Sequence, residues 1–387
     1  MSESTFLEKM LDGAEVDWKP LGEVFDVFAG GDVPKEALSK IKTEKFNIPI
    51  LSNGIGGRSL YGWTNIPKVK KPSLTISARG TIGWTSYRTE PFFPIVRLLV
   101  LTPKVEMNLR YYYHFMKTIE NDYKVAPAGI PQLTKPMIKD AQLPIPFPND
   151  PEKSLAIQAE IVRILDTFTE LTTELTTELT DRKKQYNYYR DQLLTFEDGD
   201  VEWKELGNVT EINTGQKPSE ILESATDFDY INAGTSRSGY SANSNCEGDI
   251  VTTPSRGQGG IGYVGYQKRP FWLGALCYKM KSKDKDFLIN KYLYYFLQSK
   301  SELLLGLKKE GGVPAVNKTD LAKLQIPVPS PTEQARIVAI LDKFDTLTHS
   351  ISEGLPREIE LRQKQYEYYR DLLLNFPKSE PQTEIVA

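Results

Sequence analysis

At 387 residues, with 40% hydrophobic and 26% charged side chains, the chain is too long for one ordinary domain and has the composition of a soluble globular protein. Cys246 and Cys277 are too few for a disulfide framework, the acidic opening MSESTFLEKM lacks a basic-then-apolar leader pattern, and no apolar run approaches the ~20 residues of a membrane span, so a cytoplasmic protein with no membrane partner is expected. The net charge of −3 does not exclude nucleic acid, because residues 35–139 hold 17 Lys and Arg against 6 Asp and Glu and residues 251–323 hold 13 against 5, whereas residues 151–196 (6 against 8) and 331–387 (7 against 10) are mildly acidic.

In chain order, VDWKPLGEV at Val16 opens a block of about 140 residues rich in Gly, Pro and aromatics. LTIS and IVRLLVLT read as short strands, LRYYYHFMK as a short helix, and Pro144-Ile145-Pro146 should stop the block and launch a long helix. The block then returns. VEWKELGNV at Val201 repeats the opening, SRGQGGIGY (Ser255 to Tyr263) repeats SARGTIGW (Ser77 to Trp84), and GGVPAVNK (Gly311 to Lys318) echoes AGIPQLTK (Ala128 to Lys135). DIVTT and LCYKMK read as strands, KYLYYFLQS as the helix, and Pro327-Val328-Pro329 as the second stop. RKKQYNYYRDQLLTF at Arg182 returns as RQKQYEYYRDLLLNF at Arg362 with 11 of 15 positions identical. A period of about 180 residues is domain duplication rather than a solenoid.

Each block is followed by a helical stretch with a 4-3-4-3 seam. In the first copy it runs through Ile161, Leu165, Phe168, Thr172, Leu175, Leu179, Arg182, Tyr186, Tyr189 and Leu193. In the second it runs through Ile337, Leu341, Phe344, Thr348, Ile351 and Leu355, then Arg362, Tyr366, Tyr369 and Leu373, with Gly354 and Pro356 expected to break it. Such seams fit a coiled-coil pair, a rod of roughly 60 Å for ~40 residues; the alternative is that each helix packs only on its own domain. The expected fold class is α+β: two tandem α/β domains separated and joined by two long helices that form an antiparallel coiled coil with pseudo-two-fold symmetry. The expected boundaries are a first α/β domain over 1–150, a helix over 151–196, a second domain over 197–330, a helix over 331–376 and a flexible tail over 377–387. Two domains at the ends of such a rod would suit two half-sites on a duplex.

No catalytic constellation is evident. There is no Walker A loop, metal-ligand Cys/His spacing or Asn-Pro-Pro-aromatic signature, and no carboxylate pair stands out in an apolar setting. GQGGIG at Gly257 lacks dinucleotide-loop spacing and reads as a tight turn; His114 lies in an aromatic helix and reads as packing. The duplicated Arg-Gly loops carry the best nucleic-acid candidates, Arg79 and Arg256, whose planar forks suit a guanine edge or a phosphate, unless they hold a turn through backbone carbonyls. The remaining candidates are Arg58, Lys68, Lys70, Lys71, Arg88, Lys124, Gln132 and Lys135 in the first block and Lys217, Arg237, Gln258, Lys268, Arg269, Lys309 and Lys318 in the second. Singly, each lysine is as readily a solvated face as a phosphate contact.

The ordered, twice-written motifs resemble the specificity subunit of type I restriction-modification systems over essentially the full length. The Arg-Gly-x-x-Gly loops, GIPQLTK and GGVPAVN before Pro-x-Pro, and the Gln-x-x-Ile-x-x-x-Leu-Asp helix openings carry the resemblance, and TELT three times over (Thr169 to Thr180) before RKKQYNYYRDQLL is similar to the IC subgroup. The resemblance implies two target recognition domains, each reading half of a bipartite double-stranded DNA sequence across an unspecified spacer. It implies helical regions that dock two modification subunits. S-adenosylmethionine, ATP and Mg are then expected on the methyltransferase and restriction subunits and no cofactor on this chain, which would be non-catalytic by itself. A duplicated scaffold binding RNA or an acidic protein is the alternative. Tyr186, Tyr188, Tyr189 and Arg190, with Tyr366, Tyr368, Tyr369 and Arg370, cannot all face one seam and are the expected partner-docking residues. Each TELT tetrad adds about 6 Å of rise and about 40° of rotation, close to one base-pair step of rotation, unless the repeat is merely a tolerant exposed segment.

Overall fold

Among the described residues, each copy of the repeat folds into nine strands, paired in the same order. The structure is a computed structural model describing residues 15–123, 125, 131–197, 199–225, 227–257, 259–309 and 313–376; Lys124, Gln258 and the segment 377–387 lie outside the described residues. In the first copy β1 (Val16–Pro20) leads through α1 (Leu21–Val24) into β2 (Phe25–Ala29), β3 (Ile48–Leu51), β4 (Leu60–Thr64), β5 (Ser73–Ser77), β6 (Thr85–Arg88), β7 (Phe93–Pro94) and β8 (Leu98–Pro103). Then come α2 (Leu109–Thr118), α3 (Lys135–Lys139), β9 (Gln142–Pro146) and the 43-residue α4 (Pro151–Leu193). The second copy runs β10 (Glu202–Glu205), α5 (Leu206–Val209), β11 (Thr210–Thr214), β12 (Phe228–Ile231), β13 (Tyr240–Ser241), β14 (Ile250–Pro254), β15 (Gly265–Gln267), β16 (Trp272–Leu273) and β17 (Cys277–Ser282). It closes with α6 (Asn290–Ser299), α7 (Ser301–Gly306), α8 (Lys318–Ala322), β18 (Gln325–Val328), α9 (Pro331–His349) and α10 (Gly354–Leu374).

The sheets repeat as well. The order β2-β8-β5-β6 returns as β11-β17-β14-β15, β4-β3-β7 as β13-β12-β16, and β1-β9 as β10-β18. The four-stranded sheets are antiparallel throughout, and each three-stranded sheet has one parallel pair. Strand periodicity explains the layering. On β8, Leu99 and Leu101 face the helical side, with Tyr111, Phe115, Ile161 and Leu165, while Leu98 and Val100 join Leu51 and Phe92 on the other face. The second copy divides in the same way, with Cys246 and Cys277 filling apolar positions beside Ile250 and Phe271; both thiols are free, and burial pushes the Cys277 thiol up to about 12. The prolines of β9 sit in a two-stranded ribbon, Pro144 opposite Trp18 and Pro146 opposite Val16, where a missing donor is tolerated.

Both helical blocks start with a cap and a proline. The Asp150 carboxylate accepts the Lys153 amide at 3.0 Å and Ser330 Oγ accepts that of Glu333 at 3.3 Å, with Pro151 and Pro331 as first helical residues. The second block breaks at 350–353, and Gly354 restarts it with φ +79°.

The chain divides into two units, Met1–Glu174 with Glu360–Ala387, and Leu175–Ile359. In the first, the opening half of α4 and the closing half of α10 pack on the α/β domain, placing Ile161, Leu165, Leu373 and Leu374 in one core with Tyr112 and Phe115. Phe168 stacks on Tyr369 at 5.1 Å there. In the second, α9 and the closing part of α4 do the same: Ile337, Leu341 and Tyr186 share a core with Tyr292 and Phe296, Tyr186 meets His349 at 5.5 Å, and Tyr189 stacks on Phe344 at 5.8 Å. Within each unit, therefore, a helix packs on its own domain and alongside a second helix; the two expectations for the seams are not exclusive.

Candidate nucleic-acid interface

In both copies the Arg-Gly loop meets a segment far away in sequence, at Gln132 and Leu133 in the first and at Pro314 to Val316 in the second. The loop joins the antiparallel strands β5 and β6, and Leu133 donates its amide to Ala78 O at 2.9 Å. In the second copy it joins β14 and β15, where Arg256 bridges Ala315, Gly257 donates to Pro314 O at 3.0 Å and Val316 to Ser255 O at 2.9 Å. The described residues of GQGGIG thus lie between two antiparallel strands, with no helix following among the described residues, which removes the dinucleotide reading. The tightness depends on glycine: at Gly83 φ is +87° and a Cβ would lie 2.2 Å from Glu120 O, and at Gly262 φ is +93° with Leu305 Cγ at 2.7 Å from the same point.

Arg79 is half-buried at this turn, held by its surroundings. Its Nε and Nη2 donate to Gln132 Oε1 at 2.8 and 2.5 Å, and Asn53 Nδ2 donates to its carbonyl oxygen at 2.8 Å. The pairing fixes the guanidinium plane, leaving Nη1 and Gln132 Nε2 as outward donors of the kind that read a guanine edge. Ala315 takes the place of Gln132 in the second copy, so Arg256 has no corresponding amide to orient it. The two turns share a backbone and differ in chemistry.

Other candidates gather less closely. Arg58 is exposed on the 3-10 turn Gly56–Ser59; the preceding Gly54 donates its amide to Ser77 Oγ at 3.4 Å, which places that loop beside the Arg79 turn. Lys135 opens α3, three residues after Gln132. Lys309 bridges Ala315 and pairs with Asp320 at 2.8 Å, and Lys318 donates to Asn213 Oδ1 at 3.2 Å. Lys68 lies 5.9 Å from the Phe28 and Phe93 rings, with Lys70 and Lys71 exposed beyond it. Lys217, Lys268 and Arg269 are exposed, and Arg237 pairs with Asp229 at 3.0 Å. Arg88 departs from expectation: its guanidinium turns onto the sheet toward Thr75 Oγ1 (3.3 Å) and Ser59 Oγ (3.5 Å), and burial holds its pKa below the ordinary arginine value. A charge count does not register burial. Arg97, unnoticed inside IVRLLVLT, is exposed at φ +74° and accepts the Ala78 amide at its carbonyl, beside the Arg79 turn.

Two side-chain anchors tie each domain to its helix. Gln158 Oε1 accepts the Asn108 amide at 3.0 Å, and Gln334 Oε1 that of Ile289 at 2.8 Å. Asp166 takes Arg110 (2.9 Å) and His114 Nε2 (2.8 Å), while Asp342 takes Lys291 (2.8 Å) and the Tyr295 hydroxyl (2.5 Å). His114 is therefore more than packing. It is fully buried, its Nδ1 lies 3.1 Å from Tyr366 Oη, and burial lowers its pKa against the opposing effect of Asp166, with Arg110 and Arg370 adding to the lowering. A histidine lowered on folding binds fewer protons folded than unfolded, so its contribution is present above the ordinary value near 6.5 and is lost as pH falls below it. His114→Tyr, which copies the second unit, is expected to flatten the decline in melting temperature between pH 7 and 5; an unchanged pH profile by thermal denaturation would refute this.

The docking candidates sort by depth. Tyr186 is buried and Tyr366 half-buried, each hydroxyl pushed up to about 12 mainly by burial, and Arg190 and Arg370 lie 5.7 and 5.8 Å from those rings while pairing with Asp191 and Asp371. Tyr189 and Tyr369 stack on Phe344 and Phe168. These residues hold helices together within the chain. Tyr188 and Tyr368 are the most exposed of them, at 59% and 65%, against 39% for Tyr189.

Among the described residues, no group of three or more His, Cys, Asp or Glu side chains is placed to hold a metal, and no helix is long and apolar enough to cross a membrane. The family model of the type I restriction modification DNA specificity domain matches twice, over residues 15–182 and 199–361. The chain is 38% identical to the type I restriction enzyme EcoR124I/EcoR124II specificity subunit of Escherichia coli, over 98% of this chain and 99% of that one. It is 33% identical to a putative type I restriction enzyme specificity subunit of Haemophilus influenzae, over 96% and 98%. Its fold is similar to the crystal structure of the type I restriction-modification S subunit from M. genitalium, with a TM-score of 0.67 over 95% of this chain and 98% of that one at 18% identity. The duplicated loops, the nine-strand repeat and both family matches cover the same two stretches of sequence, and the chain belongs to the family of type I restriction-modification DNA specificity subunits.

Proposed function

We propose that this chain supplies the DNA address of a type I restriction-modification complex: it binds a bipartite double-stranded target through its two α/β domains, scaffolds two methyltransferase subunits, and leaves catalysis to its partners. The observation that carries this is the twice-built turn in which an arginine lies against a distant segment, with Gln132 beside Arg79 and Ala315 beside Arg256. One scaffold with two different side-chain sets is what reading two unlike half-sites requires. S-adenosylmethionine, ATP and Mg belong to the partner subunits in this reading, with restriction subunits joining through the complex. Family membership weighs against a scaffold for RNA or an acidic protein. Co-expression with its methyltransferase, followed by mapping of methylated adenines in host DNA, is expected to yield a split motif with a fixed spacer that disappears without this chain; methylation that persists without it would overturn the proposal.

Tyr188 and Tyr368, matched in the two copies and facing out, are the residues proposed to meet the methyltransferase subunits. Tyr188→Ala with Tyr368→Ala is expected to weaken assembly about tenfold or more, roughly 1.4 kcal/mol, in sedimentation, with the melting temperature of the chain unchanged. Tyr189→Ala with Tyr369→Ala should instead lower stability through Phe344 and Phe168. Normal assembly of the first pair would return these tyrosines to bystanders.

A further inference from the structure

The three-stranded sheet of the first domain carries a row of cations on aromatic rings. Tyr61 and Trp63 alternate with buried Gly62 and Thr64 on β4 and so share the outer face. Against them lies the segment after the 3-10 turn Lys35–Ala37: Ser39 and Trp63 exchange both backbone hydrogen bonds at 2.8 Å. Gly62 permits the approach, since a Cβ there would lie 2.8 Å from Ser39 O. The docked segment sets Lys40 Nζ 4.2 Å from the Tyr61 ring centre, Lys42 Nζ 5.1 Å from that of Trp63, and Lys45 Nζ 5.7 Å from that of Phe46, with the chain turned by Thr43 Oγ1 accepting the Phe46 amide at 3.0 Å.

Two features separate this row from an ordinary solvated face. No carboxylate pairs with Lys40, Lys42 or Lys45 among the described residues, whereas Lys309 beside the second domain's turn is matched by Asp320 at 2.8 Å. A ring beneath an ammonium limits its rotamers while leaving its N–H donors outward. The second domain also puts a cation on the corresponding strand, Arg237 4.1 Å from the Tyr240 ring centre on β13, although that arginine comes from a different stretch of chain. Position is retained while the source changes.

The row continues from the Arg79 turn. Asn53, bonded to Arg79 O, begins the loop that passes through Arg58 on the 3-10 turn Gly56–Ser59 and runs directly into β4. We propose that Lys40, Lys42 and Lys45, seated on Tyr61, Trp63 and Phe46, form a phosphate-binding rail that tracks the DNA backbone beside the base-reading Arg79 turn. This rests on the DNA-address reading above and adds to it the surface that positions the first domain without specifying sequence. Phosphate contacts of this sort release counterions, so each contributes about −0.9 to the slope of log affinity against log salt, on target and non-target DNA alike.

The test is a titration of the assembled specificity–methyltransferase complex with duplexes carrying its mapped target or a scrambled sequence, from low to moderate salt. Lys40→Gln/Lys42→Gln/Lys45→Gln is expected to flatten the salt slope by between about 2 and 3 on both duplexes, with the mapped half-sites unchanged, and Lys→Arg at the same three positions to restore it. An unaltered slope with wild-type melting temperature overturns the rail. So does an unaltered slope accompanied by weaker complex assembly in sedimentation, which would make the row a protein contact. If wild-type complex fails to distinguish target from scrambled DNA, the broader reading falls instead.

Discussion

Removal of Thr173–Thr176 is expected to abolish methylation of the wild-type target and to create a new one, with the same two half-sites and an unspecified spacer about one base pair shorter. The reason lies in α4, which is continuous from Pro151 to Leu193 through all three tetrads. Each tetrad supplies a half-buried leucine, as Leu175 and Leu179 do, and threonines that bond back one turn, Thr172 Oγ1 to Phe168 O at 2.8 Å and Thr173 Oγ1 to Thr169 O at 2.8 Å. Because the repeat is exact in sequence, deleting one tetrad puts Thr-Glu-Leu-Thr where Thr-Glu-Leu-Thr was, so the helix stays locally intact. What changes is everything beyond it: about 6 Å less rise and about 40° less rotation, against roughly 34–36° of rotation and ~3.4 Å of rise per base pair. Rotation nearly matches; the excess rise must be taken up elsewhere. The break at 350–353 in the second helical block, where Ile351 is 84% exposed and Gly354 holds φ +79°, offers the slack. Mapping of methylated adenines decides the matter. Altered half-sites, or an unchanged spacer, would show that the repeat is not a ruler.

That the repeat governs geometry could be argued from sequence because tetrads, seams and strands are periodic. β5 and β8 were legible as apolar runs, α2 and α6 as aromatic helices of the right length, and the α4 and α9 starts from the Pro-x-Pro stops before them. Long-range pairings had no such signal. Nothing in the spacing of Lys40 and Lys42 announces Tyr61 and Trp63 some twenty residues later; only the β4 bridge to Ser39 unites them. Arg88 and Arg97 show what a charge count does not register: the guanidinium of the first turns onto the sheet, and the second, inside a stretch that reads as an apolar strand, is turned outward at φ +74°. The tyrosines were half legible: 186, 188 and 189 cannot share one helical face, but which of them faces inward depends on Phe344 and His349, supplied by another helix.

Arg79→Ala should weaken binding of the assembled complex to its mapped target by about 1–3 kcal/mol, roughly 5- to 150-fold, while binding to scrambled duplex changes little, and methylation should relax at one position of the first half-site only. The prediction follows from the fixed fork. Gln132 Oε1 holds Nε and Nη2, so the remaining donors are presented in one plane at no further cost in rotamer freedom. Lysine has no planar fork, and Arg79→Lys should recover little of the loss. Gln132→Ala removes the amide that holds the arginine, an amide that Ala315 lacks beside Arg256, and should cost less than removing the arginine itself. Arg256→Ala should relax the second half-site and leave the first untouched, which makes each variant the control for the other. Arg88→Ala, by contrast, should lower the melting temperature without altering the motif, since its guanidinium is spent on Thr75 and Ser59. Equal losses on target and scrambled DNA would make Arg79 a phosphate contact, and wild-type affinity on both would leave it only the task of holding the turn between β5 and β6.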